Sequence, residues 1–268
     1  MSECFSEQHP EYRLHTVSAR RLIAFAALAT SFTALACALC ACGSSSDGKV
    51  VATVGKRAIT QGALSSWMAT TVGGDYRELN SETSPEGLVS DPPDYSRCIA
   101  AAKQIPTASG KKPNDAQLAL KCRELYTAVK EESLSFLIVE IWASEQAAEH
   151  GQHVSGAELN RAFQRYRTEQ WPSPAQFKSY LTERHRSVSD ERALLKRNLL
   201  TEKILGKLKA QAGSQQAFVK LVKAEDAKWT SRTHCKPGYR AQQCEGYAST
   251  AGVTPSAAVL VEQLKAGG

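Results

Sequence analysis

Residues 114–150 run without a single proline or glycine, between Pro113 and Gly151. Asn114 is suited to cap a helix at the start of this stretch, and Gly151 to close it in a left-handed conformation. In its first half Leu118, Cys122, Leu125 and Val129 recur at helical spacing. In its middle Leu134, Phe136, Leu137, Ile138, Val139, Ile141 and Trp142 cover nearly every side. A helix that is apolar all round must be wrapped by other elements. At 1.5 Å per residue the stretch would run roughly 55 Å, longer than a small domain is wide. The expectation is a mainly α, elongated body built on one long central helix.

The chain has 268 residues, 42% of them hydrophobic, enough for a sizeable core in one or two domains. Its net charge of +6 suits an anionic surface or acidic partners. Basic and acidic residues are interleaved, however, as on a solvated helical surface, and no nucleic-acid partner is expected. Localisation is read from Arg20 and Arg21, the apolar run over 22–41, and the polar exit Gly43-Ser44-Ser45-Ser46-Asp47. This is the pattern of a secretory signal. The run is also long enough to stay as an uncleaved membrane helix. Either way, residues 43–268 are expected outside the cytoplasm.

After a polar tether at 42–49, Val50, Ala52 and Val54 alternate with Val51 and Thr53 as a short strand turning at Gly55. Thr60 is suited to cap a helix over 61–72, with Leu64, Trp67 and Met68 inward. Residues 73–113 read as a loop-rich insertion holding a short helix over 95–104. Beyond Gly151, Ser155 with Glu158 and Ser173 with Gln176 read as capping boxes. The first opens a helix with Leu159, Phe163 and Tyr166 on one face. The second opens one with Phe177, Tyr180 and Leu181 inward. Ser189 is read as the cap of a third helix over 190–212, and another is expected over 215–228.

Two resemblances follow from these residues. Leu39-Cys40-Ala41-Cys42 resembles the lipobox of bacterial lipoproteins, which implies cleavage before Cys42 and a diacylglyceryl group on its thiol, holding the chain at the outer face of the cytoplasmic membrane. Val51, Ala52, Val54, Gly55, Ile59, Thr60 and Leu64 resemble the opening of the SurA and PrsA class of extracytoplasmic chaperones and foldases. The likeness continues through V-S-x-x-E-L at 154–159, Phe163, F-x-x-x-L at 177–181, and S-x-x-x-x-L-L-K-R-x-L-L-x-x-K at 189–203. It covers residues 50–70 and 118–210. It implies a helical SurA N-terminal-like chaperone domain over 50–228 that holds unfolded exported polypeptides without ATP. Larger members add a parvulin prolyl-isomerase domain, for which this chain leaves no room after Gly213 and Ser214. Trp229 and the C-x-x-G-Y-x-x-x-x-C run at 235–244 resemble the closing hairpin of some SurA-like lipoproteins. A flexible tail with one marginal helix over 257–265 is expected to follow.

Besides Cys42, four cysteines remain beyond the leader: Cys98, Cys122, Cys235 and Cys244. Outside the cytoplasm they admit three disulfide pairings. Pro237 and Gly238 can turn the chain back, favouring Cys235 with Cys244 and leaving Cys98 for Cys122. A zinc site on His234, Cys235 and Cys244 lacks an obvious fourth ligand. No G-x-S-x-G, phosphate-cradling glycine loop or H-E-x-x-H occurs, so no catalytic residue and no cofactor besides the lipid is expected. His150, His153 and His185 are read as helix-end residues.

Holding a client needs an apolar concavity with polar edges, since unfolded chains offer short apolar runs. The candidates to line it are Trp67, Phe163, Tyr166, Trp171, Phe177 and Tyr180, with Phe136 and Trp142 read as core. Trp171, in the loop between two helices, is the leading candidate. A prolyl-isomerase foldase and a structural lipoprotein with one dedicated envelope partner are the alternative readings. The oligomeric state stays open.

Overall fold

Asn114 starts the longest helix as expected: its side chain accepts from Gln117 N, and Gln117 Oε1 accepts from Asn114 N, both at 2.9 Å. In this computed structural model, which describes residues 48–80, 84–89, 92–108, 110, 113–248 and 255–266, that helix is α3 (Asp115–Glu149). Its 35 residues span about 52 Å. It ends at Gly151, whose φ of 64° is one that a side chain would resist. Leu118, Cys122, Leu125 and Val129 are all buried, the stripe anticipated from their spacing.

The remaining described elements pack on α3 directly or through one another. They are β1 (Val50–Val54), β2 (Arg57–Thr60), α1 (Gln61–Asn80), α2 (Ser96–Ala102), α4 (Gly156–Gln170), α5 (Pro174–Glu183), α6 (Val188–Gln211), α7 (Gln215–Thr230), β3 (Thr233–Cys235) and α8 (Ala257–Ala266). The described residues are thus mainly α, with a three-stranded antiparallel sheet in the order β2-β1-β3. β1 lies centrally, and Ala52 faces Cys235 across the ladder. The strand of the C-terminal disulfide loop therefore closes onto the strand at the domain's start. Trp142 of α3 fixes the joint by donating from Nε1 to Thr233 Oγ1 at 2.9 Å. That hydroxyl, fully buried, donates in turn to Trp229 O at 2.8 Å.

Both favoured disulfides are formed. Cys98–Cys122 staples α2 to α3, and Cys235–Cys244 closes the loop after β3. Cys42 and the leader lie outside the described residues, among which no helix is long and apolar enough to cross a membrane.

Four sequence expectations are corrected. The helix from Gln61 does not stop near Val72 but continues through Gly73 and Gly74 to Asn80. Gly73 lies where the turn after α5 crosses α1 and serves close packing there rather than helix termination, while Gly74 meets only the end of the Arg184 side chain. α6 is capped by Ser187, not Ser189: Ser187 Oγ accepts from Asp190 N at 3.1 Å, and Asp190 Oδ2 accepts from Ser187 N at 2.7 Å. At α4 only half the box forms. Ser155 Oγ accepts from Glu158 N at 3.1 Å, while the Glu158 carboxylate is drawn to Lys203 at 2.9 Å. Finally, α8 is no part of a flexible tail. Ala257, Leu260, Val261 and Leu264 are buried against α1 and α3, and Glu132 of α3 accepts from Ala257 N at 2.8 Å.

Candidate functional site

Of the six candidate client-binding aromatics, the fold gathers five. α4, its following loop and α5 bring Phe163, Tyr166, Trp171, Phe177 and Tyr180 together, with Trp171 in the middle. Its ring centroid is 5.1 Å from Tyr166, 5.1 Å from Phe177 and 4.2 Å from Tyr180. Phe163 and Phe177 meet edge-on at 5.9 Å and are buried with Leu181. Trp171 is half-buried rather than an exposed ring, so the cluster is a small core that spends its apolar surface on itself. Trp67 stands apart, its ring centroid 4.1 Å from Phe136 of α3.

What organises the cluster is Glu191, a residue that sequence reasoning passed over. Only 2% exposed, it accepts from Tyr166 Oη at 3.2 Å, Tyr180 Oη at 3.1 Å and Arg186 Nη1 at 2.8 Å. A buried carboxylate is tolerable only with such partners. Burial and the Glu191 charge push the Tyr180 phenol above its ordinary value. For Arg186, burial alone would lower the guanidinium, but the hydrogen bond and charge of Glu191 outweigh it and hold it up.

The concavities lie elsewhere, on either side of α6 where it crosses α3. The first, about 410 Å³, has an apolar wall from Ile59 of β2, Leu137 and Ile141 of α3, and Ala193 and Leu200 of α6. Arg57, Glu140, Lys196 and Arg197 supply its charge, three basic groups against one acidic. Arg57 is 3.4 Å from Glu145, and the Arg197 guanidinium lies 4.7 Å above the Phe136 ring. Burial pushes the Glu140 carboxyl up, against the pull of Arg197 and Arg57. Burial pushes Arg197 down, with Glu140 opposing. Both shifts mark a place partly withdrawn from water.

The second cleft, about 440 Å³, lies between α3, α6, α7 and the loop after β3. Val139, Trp142, Ile204, Leu208 and Val222 contribute its apolar wall, and Glu225 and Asp226 its charge. No lysine or arginine lines it. Burial and the neighbouring Glu225 charge raise the Asp226 carboxyl. Among the described residues no cluster of histidine, cysteine, aspartate and glutamate is placed to hold a metal ion.

His150 caps α3, its Nε2 3.3 Å from Glu225 Oε1. His185 adopts a left-handed φ of 50° and meets Ser84 Oγ at 3.2 Å. Both belong to turns, as their helix-end positions suggested. No sequence signal marked the two clefts, because each is walled by residues far apart in the chain. Comparison with protein-family models, with curated proteins and with solved structures finds no match to this chain.

Proposed function

We propose that this protein is a non-catalytic, ATP-independent chaperone that holds unfolded exported polypeptides, tethered to the outer face of the cytoplasmic membrane by a lipid on Cys42. The observation that carries the reading is the first cleft. It presents an apolar wall rimmed by charges between the long helix α3, the capped helix α6 and strand β2. Its 410 Å³ falls in the range of ligand-binding clefts, roughly 300–1,000 Å³. An aliphatic run of a client would lie on Leu137, Ile141 and Leu200. The charged rim keeps the cleft wetted when empty, limiting self-association. The resemblance of 50–70 and 118–210 to the SurA and PrsA class supports the same reading.

The test follows aggregation of chemically unfolded model proteins as the disulfide-bonded protein is titrated in. Suppression at near-stoichiometric ratios is expected, and Ala193→Trp, which fills the cleft, should abolish it without lowering the melting temperature. In the same preparation, Cys42→Ser should move the protein out of the detergent phase. Failure to protect several unrelated clients would sink the holding function; an unchanged partition would sink the lipid tether.

A further inference from the structure

The two clefts beside α6 are similar in size and opposite in sign. The first is lined by three basic groups and one acidic, the second by two carboxylates and no cation. In the second, both acidic groups come from the last turns of α7, but they are not equivalent. Glu225 has ion-pair neighbours, His150 Nε2 at 3.3 Å from its Oε1 and Lys228 Nζ at 3.6 Å from its Oε2, although neither contact is a hydrogen bond and Oε2 is buried without a donor. Lys228 is itself held at 2.5 Å by Glu149. Asp226 has no ion pair and no hydrogen bond among the described residues. Across the cleft the side-chain carbonyl of Gln243 is buried without a hydrogen-bond donor. A buried acceptor left unpaired costs about 1–3 kcal/mol. The cleft thus offers a free carboxylate beside an apolar wall, with Leu205, 39% exposed, also lining it.

We propose that this second cleft binds a polypeptide segment in which a lysine or arginine stands beside an apolar residue. The inference rests on the holding function argued above and gives it a second, chemically selective subsite. The cationic head pairs with Asp226. The aliphatic stem and the neighbouring apolar side chain lie on Leu205, Ile204 and Val222. An anionic segment would instead face two carboxylates, one of which, Asp226, already feels the other's charge. A cation relieves that repulsion, so such segments are selected by charge as well as by apolar contact.

The experiment is fluorescence anisotropy with the full-length, disulfide-bonded protein and three labelled peptides of equal length. They alternate leucine with lysine, with glutamate or with serine. The leucine–lysine peptide is expected to bind tightest at low salt. Asp226→Asn should weaken it about two- to fivefold, the size of one partly exposed ion pair. The same substitution should leave the leucine–serine peptide unchanged. Ala193→Trp, in the other cleft, should not alter leucine–lysine binding. Equal binding of all three peptides, or an Asp226→Asn protein that binds leucine–lysine as well as wild type, overturns the subsite while leaving general holding intact. Asp226-dependent binding without aggregation suppression overturns holding and keeps the subsite. No binding of any peptide overturns both.

Discussion

In α1, a Cβ at position 73 would stand 2.5 Å from His185 Cδ2 and 3.4 Å from the carbonyl carbon of Arg184. One at position 74 would meet nothing nearer than Arg184 Nη1 at 3.9 Å. The turn after α5 comes this close because Thr70 Oγ1 donates to His185 O at 3.2 Å, while Ser84 Oγ meets His185 Nε2 at 3.2 Å. Alanine inside a helix gains about 1 kcal/mol over glycine where space allows, whereas overpacking costs about 1–3 kcal/mol. Gly74→Ala is therefore expected to raise the melting temperature, and Gly73→Ala to fall below it and at or below wild type. Calorimetry on the two variants decides this, and equal gains would show that the turn yields freely. The two glycines read as breakers in the sequence because the segment that crosses them lies over a hundred residues away. The Glu191 node was hidden for the same reason: Tyr166, Tyr180 and Arg186 carry no local sign that they converge on one carboxylate.

At the scale of elements, legibility follows how much of an element's stability is local. α3, α4 and α5 announce themselves through caps, a proline at the first turn and long apolar periodicity. α3 lies within about one residue of the expected bounds at both ends, and α4 and α5 start at the caps the sequence marked. α8 also carries a full helical stripe, in Ala257, Leu260, Val261 and Leu264, but a ten-residue helix is marginal alone. It persists because α1 and α3 present a groove for that stripe, and because Glu132 of α3 accepts from its first N–H, that of Ala257. Burial raises the Glu132 carboxyl, the Ala257 N–H opposes this, and the neighbouring Glu131 charge adds to it. A carboxyl raised on folding contributes stability that is whole below its unfolded value of about 4.3 and is lost as pH rises through the folded value. Wild-type stability should therefore fall more steeply than that of Glu132→Gln as pH rises from about 4.3 towards neutrality. The glutamine can still accept from Ala257 N. Urea midpoints measured across that window test the assignment, and parallel curves for the two proteins would refute it.

Across the whole described body, the chain closes on itself. β1 and β3 pair, α8 returns to α1 and α3, and one principal core joins these elements to Trp142 and Trp229. Two disulfides brace this closure at different places, and their noncovalent surroundings differ. The loop held by Cys235–Cys244 is tied at several further points. Lys130 Nζ donates to Gly238 O at 3.1 Å and lies 5.4 Å from the Tyr126 ring centroid and 5.5 Å from that of Tyr239. Tyr239 also donates to Gln61. By contrast, Cys98–Cys122 joins the seven-residue α2 to α3 across a separation of 24 residues, against 9 for the other bridge. Loop-closure entropy alone assigns about 3.5 kcal/mol to the longer bridge and about 2.6 kcal/mol to the shorter. Both segments keep noncovalent ties when their bridges are lost, α2 through Tyr95 against Tyr126 at 6.0 Å and Lys103 with Asp115 at 2.7 Å, so the closure entropy sets the order. Replacing Cys98 and Cys122 by alanine should thus lower the urea midpoint more than replacing Cys235 and Cys244. A reversed order would mean that the β1–β3 closure, rather than the α2–α3 staple, limits the stability of the body.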